Sequence, residues 1–329
     1  MSRFDTIKIQ YLKQFSPCLM MASESVIKKI VWYGADRLGT QILPRVVATN
    51  KPFEYKIRMP EGIPIVQVDL KDDKSLVKVL TGADAVVVFT HFVPVGELDI
   101  IKIALINAAI EAKVKLFVPS EWAPDTAGGN GATLERIGPN TLPPSPAVAP
   151  KRAVHNYLMC RSAESKIDFV SLHVGNLLLN LNAFSPMDLN KRTDFLGDGR
   201  YGLISVSSLD TLAKGVDGLL TRYPKVKNSF YICDGEATLQ RIVQRFEEAS
   251  EPKELWGITS FSIAERKKIA DENMRNGIFT VLTVPFTAGL TVWQKPDNER
   301  LGLKPPSDER AQKTVDELIQ RFMARGYII

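Results

Sequence analysis

Hydrophobic and polar positions follow two different periods along the first half of the chain. Short apolar runs, typical of buried strands, occur in "KIVWYG" (29–34), "DAVVVFT" (84–90) and "KLFVPS" (115–120). Between them, "LGTQILPRVVAT" (38–49) and "ELDIIKIALINAAIEAKV" (97–114) place apolar residues every three to four positions, which is typical of helices. Strands that alternate with helices in this way predict an α/β fold with a doubly wound parallel sheet of the Rossmann type.

Further segments extend this pattern. "FEYKIR" (53–58), "IPIVQVDL" (63–70) and "DFVSLHVG" (168–175) are strand-like. Residues 123–150 are rich in Gly, Pro, Ala, Thr and Asn and show little apolar periodicity. Long connections of this kind are usually lids, binding loops or disordered segments, so we predict a loop there.

The composition is that of an ordinary globular protein. Of 329 residues, 45% are hydrophobic and 24% charged, with a net charge of +5. Basic residues form no stripe and no apolar stretch approaches the ~20 residues of a membrane span, so we expect neither a nucleic-acid partner nor a membrane. Three cysteines and three histidines are scattered. This pattern predicts no metal site and favours a reducing compartment such as the cytoplasm.

The turn after the first apolar run, "WYGADRLG" (32–39), resembles a phosphate-binding loop without its middle glycine. Such a loop uses glycines for the tight turn, for backbone approach to a pyrophosphate and for packing of helix against strand. Gly34 and Gly39 are present, whereas the middle of the turn carries Asp36. The turn therefore predicts the fold but leaves the cofactor in doubt.

Several segments match the pattern of one protein family in the same order. "KLFVPSEWAPD" (115–125) resembles a strand followed by "PSEFG", and "KRAVHNYL" (151–158) resembles a lysine-led helix with "YL" near its end. Residues 197–224 contain "GDG", a short strand and an aspartate that opens a helix. Together these segments resemble the isoflavone reductase-like and NmrA-like group of atypical short-chain dehydrogenases.

The resemblance implies a domain organisation. Members of this group have an N-terminal Rossmann domain that binds NADPH and a smaller C-terminal α/β domain that closes over a substrate. We therefore predict that residues 21–175 form the dinucleotide-binding domain, to which residues 205–235 return, and that residues 176–329 mainly form the substrate-binding domain. Residues 1–20 are predicted to be an extension outside the fold.

The family pattern of the turn is G-A-T-G-x-x-G, and this chain fits it in two ways. Counted forward from the strand, Gly34 and Ala35 match and the loop is one residue short. Counted back from the helix, Gly39 matches, while Tyr33 and Asp36 take the first two glycine positions. Both alignments lose the middle glycine.

Asp36 has two interpretations. A carboxylate 5–6 Å from a phosphate charge costs on the order of 3 kcal/mol at an effective dielectric constant near 20. Arg37 either offsets this cost or is simply solvated. Alternatively, Asp36 is an ordinary helix N-cap. The cofactor predicted by the resemblance is NADP(H), and the residues predicted to hold it are Gly34, Ala35, Arg37, Leu38, Gly39, Arg58 and Thr90.

Arg58 falls where NADPH-preferring members keep an arginine for the 2′-phosphate, an interaction that suits a guanidinium. It is otherwise a surface arginine at the end of a strand. Thr90 and His91 follow a strand, at the edge where doubly wound sheets bind ligands. His91 is a candidate proton donor, or alternatively an exposed loop histidine.

Lys151 matches the lysine that supports hydride transfer in the reductases of this family. Its predicted role is to bind or polarise a substrate oxygen, and the alternative is a surface lysine in the first turn of a helix. His155 lies four residues further on, on the same helix face, and is a second catalytic candidate. A Y-x-x-x-K pair, Tyr223 and Lys227, spans a turn and is interpreted as a chance occurrence.

Four residues are predicted to contact the substrate. Glu121 and Trp122 follow the strand 115–118, and Trp122 either packs against a planar substrate or belongs to the core. Asn176 and Leu177 follow "DFVSLHVG" in the segment that, by resemblance, leads into the substrate domain.

Three functions remain open from the sequence. The leading hypothesis is an NADPH-dependent reductase of a small conjugated or aromatic metabolite. The damaged glycine loop favours a redox-neutral cyclase or isomerase with a vestigial cofactor site. The third hypothesis is a non-catalytic regulator of the NmrA type.

Overall fold

The structure is a computed structural model. The described residues are 7–12, 26–33, 42, 65–68, 72–89, 98–122, 149–177, 187–188, 193–197, 203–249, 257–261, 272, 293 and 295–325.

The described residues form β-strands and α-helices in the following order. The strands are β1 (Ile7–Leu12), β2 (Ile30–Tyr33), β3 (Ile65–Val68), β4 (Ala85–Val88), β5 (Leu116–Val118), β6 (Asp168–Val174), β7 (Asn176–Leu177), β8 (Met187–Asp188), β9 (Thr193–Gly197), β10 (Leu203–Ser207), β11 (Asn228–Ile232), β12 (Gly235–Thr238) and β13 (Gly257–Phe261). The helices are α1 (Asp73–Leu80), α2 (Leu98–Glu111), α3 (Ala149–Ala163), α4 (Leu209–Arg222), α5 (Leu239–Ala249) and α6 (Asp308–Arg325), with a 3₁₀ turn at Glu299–Leu301.

A seven-stranded sheet forms the centre of the fold, in the order β11-β6-β5-β4-β2-β1-β3. The five strands from β11 to β2 pair in parallel. Parallel strands need crossover connections, which cover both faces of the sheet with helices. The predicted fold class, a doubly wound α/β fold of the Rossmann type, is confirmed.

Each face of this sheet has its own core, because successive strand residues point to opposite sides. On β2, Ile30 and Trp32 face a cluster that includes Leu212 and Val216 of α4. Val31 and Tyr33 face the other cluster, to which α1, α2 and α3 contribute buried residues. These helices contribute Leu76, Leu80, Leu105, Ile106, Ala108, Ala109, Val154 and Leu158.

The N-terminal strand differs from the sequence-based expectation. β1 lies between β2 and β3 and is antiparallel to both, with Ile9 opposite Tyr33 on one side and Val66 on the other. Part of the segment that was predicted to lie outside the fold is therefore inside the sheet. The apolar alternation of "IKIQYL" suits a strand, and two open strand edges are available to it. The predicted strand "FEYKIR" (53–58) lies outside the described residues.

Two small sheets follow the central sheet. One has the order β12-β10-β7 and the other β13-β9-β8. α5 and α6 cover the first of them through an apolar cluster that contains Ile204, Val206, Phe246 and Val315. The domain boundaries given above stay predictions.

A buried carboxylate joins the helices α4 and α6 to the end of the central strand β11. Asp234, just after β11, is 4% exposed and accepts hydrogen bonds from Ser208 N at 2.7 Å and Thr314 Oγ1 at 2.9 Å. It also accepts from Thr211 Oγ1 and forms a salt bridge with Arg310, both at 2.5 Å. One side chain thereby fixes the start of α4 and the first turns of α6 against the end of β11.

Among the helices that the structure describes, none has both the length and the apolar character needed to cross a membrane.

Removal of residues 2–20 is expected to lower the free energy of unfolding by at least about 2 kcal/mol. The strand β1 forms four residue pairs with each neighbour, and each cross-strand pair contributes roughly 0.2–1 kcal/mol. Urea unfolding measures the effect, with removal of residues 2–5 as the control that leaves β1 intact. Equal stability of the two truncated proteins would show that β1 does not support the sheet.

Asp234→Asn is expected to lower the free energy of unfolding by about 2–4 kcal/mol, because it removes a buried charge from this network and leaves the partly buried Arg310 guanidinium without its counter-charge. Glu164→Gln is the matched control, since it removes an exposed pair with Arg161 and should change stability by less than about 1 kcal/mol. Thermal and urea unfolding of both variants provide the comparison. A loss for Asp234→Asn no larger than that of the control contradicts the role given to this carboxylate.

Candidate functional site

The carboxyl ends of β2, β4 and β5 meet at one edge of the sheet, and Lys151 lies at this edge. It belongs to the first turn of α3, and its Nζ donates a hydrogen bond to the backbone O of Glu121 at 2.8 Å. Glu121 follows β5 through a tight turn in which its N–H donates to Pro119 O at 2.8 Å. Lys151 is partly buried and Glu121 is 1% exposed. The predicted catalytic lysine and the predicted substrate residue Glu121 are thus in direct contact.

A second lysine belongs to the same group. Lys102, on α2, is 4% exposed. It stands three, four and seven residues before the buried Leu105, Ile106 and Ala109, so it continues the buried stripe of α2 by one turn. That turn lies towards the carboxyl edge of the sheet, because α2 starts after β4 has reached this edge.

The charges of these side chains influence one another. The pKa of Lys102 is lowered from 10.5 to about 8, mainly by burial and also by the charge of Lys151, while the Glu121 carboxylate opposes both effects. Burial also lowers the pKa of Lys151, again opposed by Glu121. An amine with a lowered pKa exchanges protons more readily near neutral pH, which is the requirement for general acid–base catalysis.

Trp122 lies in an aromatic stack beneath the same edge. Its ring stacks on Phe89 with 4.2 Å between centroids, and Phe89 stacks on Trp32 with 4.6 Å. The indole Nε1 donates to Val88 O at 2.7 Å, and the residue is 7% exposed. Of the two interpretations of Trp122, this geometry favours the core residue.

His155 points away from Lys151. Its Nδ1 lies 3.4 Å from Ser171 Oγ, and its ring contacts Phe169 edge-on at 5.5 Å. Both partners lie in the first half of β6, whereas Lys151 is at the carboxyl edge. The structure does not bring the two predicted catalytic residues together, although they share a helix face.

Asn176 and Leu177 form β7 and pair with Val206 and Ser207 of β10. Leu177 is 6% exposed and belongs to the core cluster on the α4 side of the sheet, while Asn176 is partly buried. Their predicted role in substrate binding stays a prediction.

The Y-x-x-x-K pair lies at the opposite edge of the sheet. Tyr223 Oη donates to Asp168 Oδ2 at 2.8 Å, and Lys227 forms a salt bridge with Asp168 at 2.9 Å. Asp168 is the first residue of β6. The pair therefore fastens the start of this strand and is far from Lys151, in agreement with its interpretation as a chance match.

Most of the predicted cofactor loop cannot be compared with the structure. The candidates outside the described residues are Gly34, Ala35, Arg37, Leu38, Gly39, Arg58, Thr90 and His91, together with Asp36. However, Tyr33 is the last residue of β2 and is fully buried. A buried strand residue at this position favours the alignment in which Gly34 is the first glycine of the turn.

Sequence reasoning missed Lys102, Phe89 and Trp32. Lys102 is the only basic residue of α2, whose other residues are mostly apolar. A lone charge on the apolar stripe of a helix is the signal that could have identified it. Phe89 and Trp32 resemble ordinary strand residues, and no pattern in the sequence predicts that their rings stack with Trp122.

Within the described part of the chain, no cluster of three or more His, Cys, Asp or Glu side chains could hold a metal ion.

The sheet defines a Rossmann-type α/β protein, and the residues around Lys151 form a candidate functional site at its carboxyl edge. Residues 45–187 match the model of the NmrA-like family, which is less than half of the 329 residues. The resemblance inferred from the sequence is confirmed. The matched range begins after Gly39, so it excludes the unusual glycine turn. Among curated protein sequences, none matches this chain significantly.

Solved structures of low sequence identity share the fold. AtPrR2 with NADP⁺ and (+)pinoresinol is 22% identical, with a TM-score of 0.51, covering 77% of this chain and 80% of its own. A nucleoside-diphosphate-sugar epimerase from Staphylococcus aureus is 17% identical, with a TM-score of 0.55 and coverage of 85% and 98%. A dTDP-glucose 4,6-dehydratase from Streptomyces venezuelae with NAD bound is 14% identical, with a TM-score of 0.51 and 78% coverage of both chains.

Lys102→Met is expected to stabilise the protein at pH 7 by roughly 1–3 kcal/mol, because methionine fills a similar volume without a buried charge. Since the folded pKa of Lys102 is lowered to about 8, the unfolded chain binds more protons between about pH 8 and 10.5. The contribution of Lys102 to stability therefore rises with pH in this window, and the advantage of the variant shrinks.

Urea unfolding at pH 7 and pH 9.5 measures this difference. Lys78→Met is the control, since Lys78 is exposed on the neighbouring helix α1 and its loss should change stability by less than about 0.5 kcal/mol. Destabilisation of Lys102→Met at pH 7, or a difference independent of pH, contradicts the assigned burial of this charge.

Proposed function

We propose that this protein is an NADPH-dependent reductase of a small conjugated or aromatic metabolite, with Lys151 as the residue that binds the reacting oxygen. The contact between Lys151 Nζ and Glu121 O carries this proposal. It holds an ammonium of lowered pKa at the carboxyl edge, where open α/β sheets bind their ligands.

The end of β2 supports dinucleotide binding, whereas the described residues on the adenosine side give it no such support. β2 ends at Tyr33, immediately before Gly34, as a glycine turn over a pyrophosphate requires. On the adenosine side, β1 occupies the place between β2 and β3 that a second parallel strand takes in the Rossmann order. The described residues therefore offer no arginine for a 2′-phosphate there.

When bound, the nicotinamide would supply the hydride. Lys151 would donate a hydrogen bond to the substrate oxygen and stabilise the negative charge that develops on it. The carbonyl of Glu121 orients the ammonium, because Nζ uses one of its three hydrogens for this bond and can direct the others to the substrate. The Trp32–Phe89–Trp122 stack stiffens the edge on which the ligand would lie.

A redox-neutral cyclase or isomerase is the second candidate. Two observations favour it: Asp36 in the glycine turn and the pair of lysines with lowered pKa. Proton transfer between a substrate and these amines requires no hydride, so this chemistry could continue after loss of the cofactor.

Titration with NADPH, followed by tryptophan fluorescence, tests the first candidate. We expect saturable binding in the wild type, and binding about 10- to 100-fold tighter in Asp36→Gly, because a carboxylate near the phosphates is removed. Lys151→Met should bind the cofactor with unchanged affinity, since Lys151 is assigned to the substrate. Asp73→Asn, an exposed change on α1, is the control.

The titration separates the two candidates. Absence of saturable binding by wild type at millimolar NADPH and NADP⁺ rejects the reductase. If Asp36→Gly then gains binding, the site is vestigial and the redox-neutral candidate takes precedence.

A further inference from the structure

We propose that Trp122 is a positioning residue for Lys151: it fixes the peptide group whose carbonyl holds the lysine ammonium. The inference rests on the proposed function in one respect, since it takes Lys151 as the residue that binds the reacting oxygen. It adds a role for a buried aromatic residue that acts through its neighbour in the chain.

The acceptor of Lys151 belongs to the peptide group between Glu121 and Trp122. Lys151 Nζ donates a hydrogen bond to Glu121 O at 2.8 Å. A peptide group is planar, so this oxygen lies in one plane with the Cα atoms of Glu121 and Trp122. The plane can turn only about the line that joins these two Cα atoms. The direction of the carbonyl therefore depends on how the two residues are held.

Both ends of this peptide group are held. At one end, the Glu121 N–H donates to Pro119 O at 2.8 Å, and Glu121 is 1% exposed. At the other end, the indole Nε1 of Trp122 donates to Val88 O at 2.7 Å. The indole ring also stacks on Phe89, with 4.2 Å between centroids and 5° between the ring planes. The Trp122 end is thus attached to residues at the end of another strand.

The contacts of Trp122 connect this peptide group to two central strands. Val88 is the last residue of β4 and is paired with Tyr33 of β2. The Phe89 N–H donates to Tyr33 O at 2.7 Å, and the Phe89 ring stacks in turn on Trp32 of β2. The lysine itself comes from α3, a separate element. The position of its acceptor is therefore determined by β2 and β4 as well as by the turn after β5.

The direction of the carbonyl affects both the charge of Lys151 and the aim of its hydrogens. An ammonium has three hydrogens, and the bond to Glu121 O restricts the directions of the other two. A hydrogen bond to the charged form also stabilises that form. Burial already lowers the pKa of Lys151, so loss of this acceptor should lower the pKa further. A change at Trp122 that turns the carbonyl should thus be measurable at Lys151.

Trp293 provides a matched comparison. It is also buried, at 2% exposure, and its Nε1 donates to Ile232 O at 3.0 Å. This acceptor lies on β11, which is separated from β4 by β6 and β5. Both tryptophans therefore make the same type of bond to a strand carbonyl, whereas the acceptor of Lys151 belongs to the peptide group of Trp122.

Trace labelling with acetic anhydride at a series of pH values tests the proposal. The reagent acetylates the neutral amine and not the ammonium. The midpoint of the labelling rate against pH therefore reports the pKa, and the plateau reports access of the reagent. Peptide mass spectrometry follows Lys151, with the exposed Lys74 of α1 as the reference in the same sample. Trp122→Phe keeps an aromatic ring beside Phe89 and removes the N–H, whereas Trp122→Leu removes both contacts.

We expect the Lys151 midpoint to move to lower pH in Trp122→Phe and further in Trp122→Leu. Below the midpoint, the labelling rate relative to Lys74 should rise at least about threefold and about tenfold, respectively, because a hydrogen bond to a charged group is weakened or lost. Trp293→Phe should leave the Lys151 midpoint unchanged, although it removes a similar bond. Thermal unfolding verifies that each variant is folded, and Trp122→Phe decides alone if Trp122→Leu is not.

Three results overturn the proposal. One is a Lys151 midpoint that moves to lower pH in no folded Trp122 variant. Another is an equal shift in Trp293→Phe. The third is a Lys151 that stays unlabelled in all of these proteins, since a lysine closed to this small reagent is also closed to a substrate. Because the labelling needs no NADPH, failure of cofactor binding would reject the reductase while leaving the positioning role in place, and an unchanged midpoint would do the reverse.

Discussion

Parallel pairing of five strands is the constraint on which the rest of this structure depends. Because every crossover must return the chain to the same end of the sheet, β2, β4 and β5 all finish at one edge. The helices that follow β4 and β5 consequently begin at that edge. Lys102, Glu121 and Lys151 lie 19 and 30 residues apart in the sequence, yet this topology brings them together.

The site combines charge with burial at a cost to stability. Burial lowers the pKa of both Lys102 and Lys151, and among the described residues the carboxylate of Glu121 opposes this shift. Elsewhere the protein buries charge with full compensation: Asp234 is surrounded by Arg310, two hydroxyl groups and a backbone N–H.

The N-terminal strand changes the expected relation between sheet and cofactor. In the Rossmann order, the strand beside β2 runs parallel to it and presents its carboxyl end to the adenosine side. Here an antiparallel strand takes that place, so its amino end, at Ile7, lies at the ligand edge. Together with Asp36, this makes the dinucleotide side of the site less typical than the lysine side.

The sequence by itself determined the fold class and the apolar runs that form the central strands, and it named Lys151 as a candidate, because periodicity and short motifs are local properties. Only the tertiary structure decided that β1 enters the sheet, that His155 turns towards Ser171, that Trp122 belongs to an aromatic stack, and that Lys102 joins the site. Each of these depends on which residues meet across the sheet or between neighbouring helices. Such long-range contacts leave no periodic signal in the chain, since the packing of distant elements creates them.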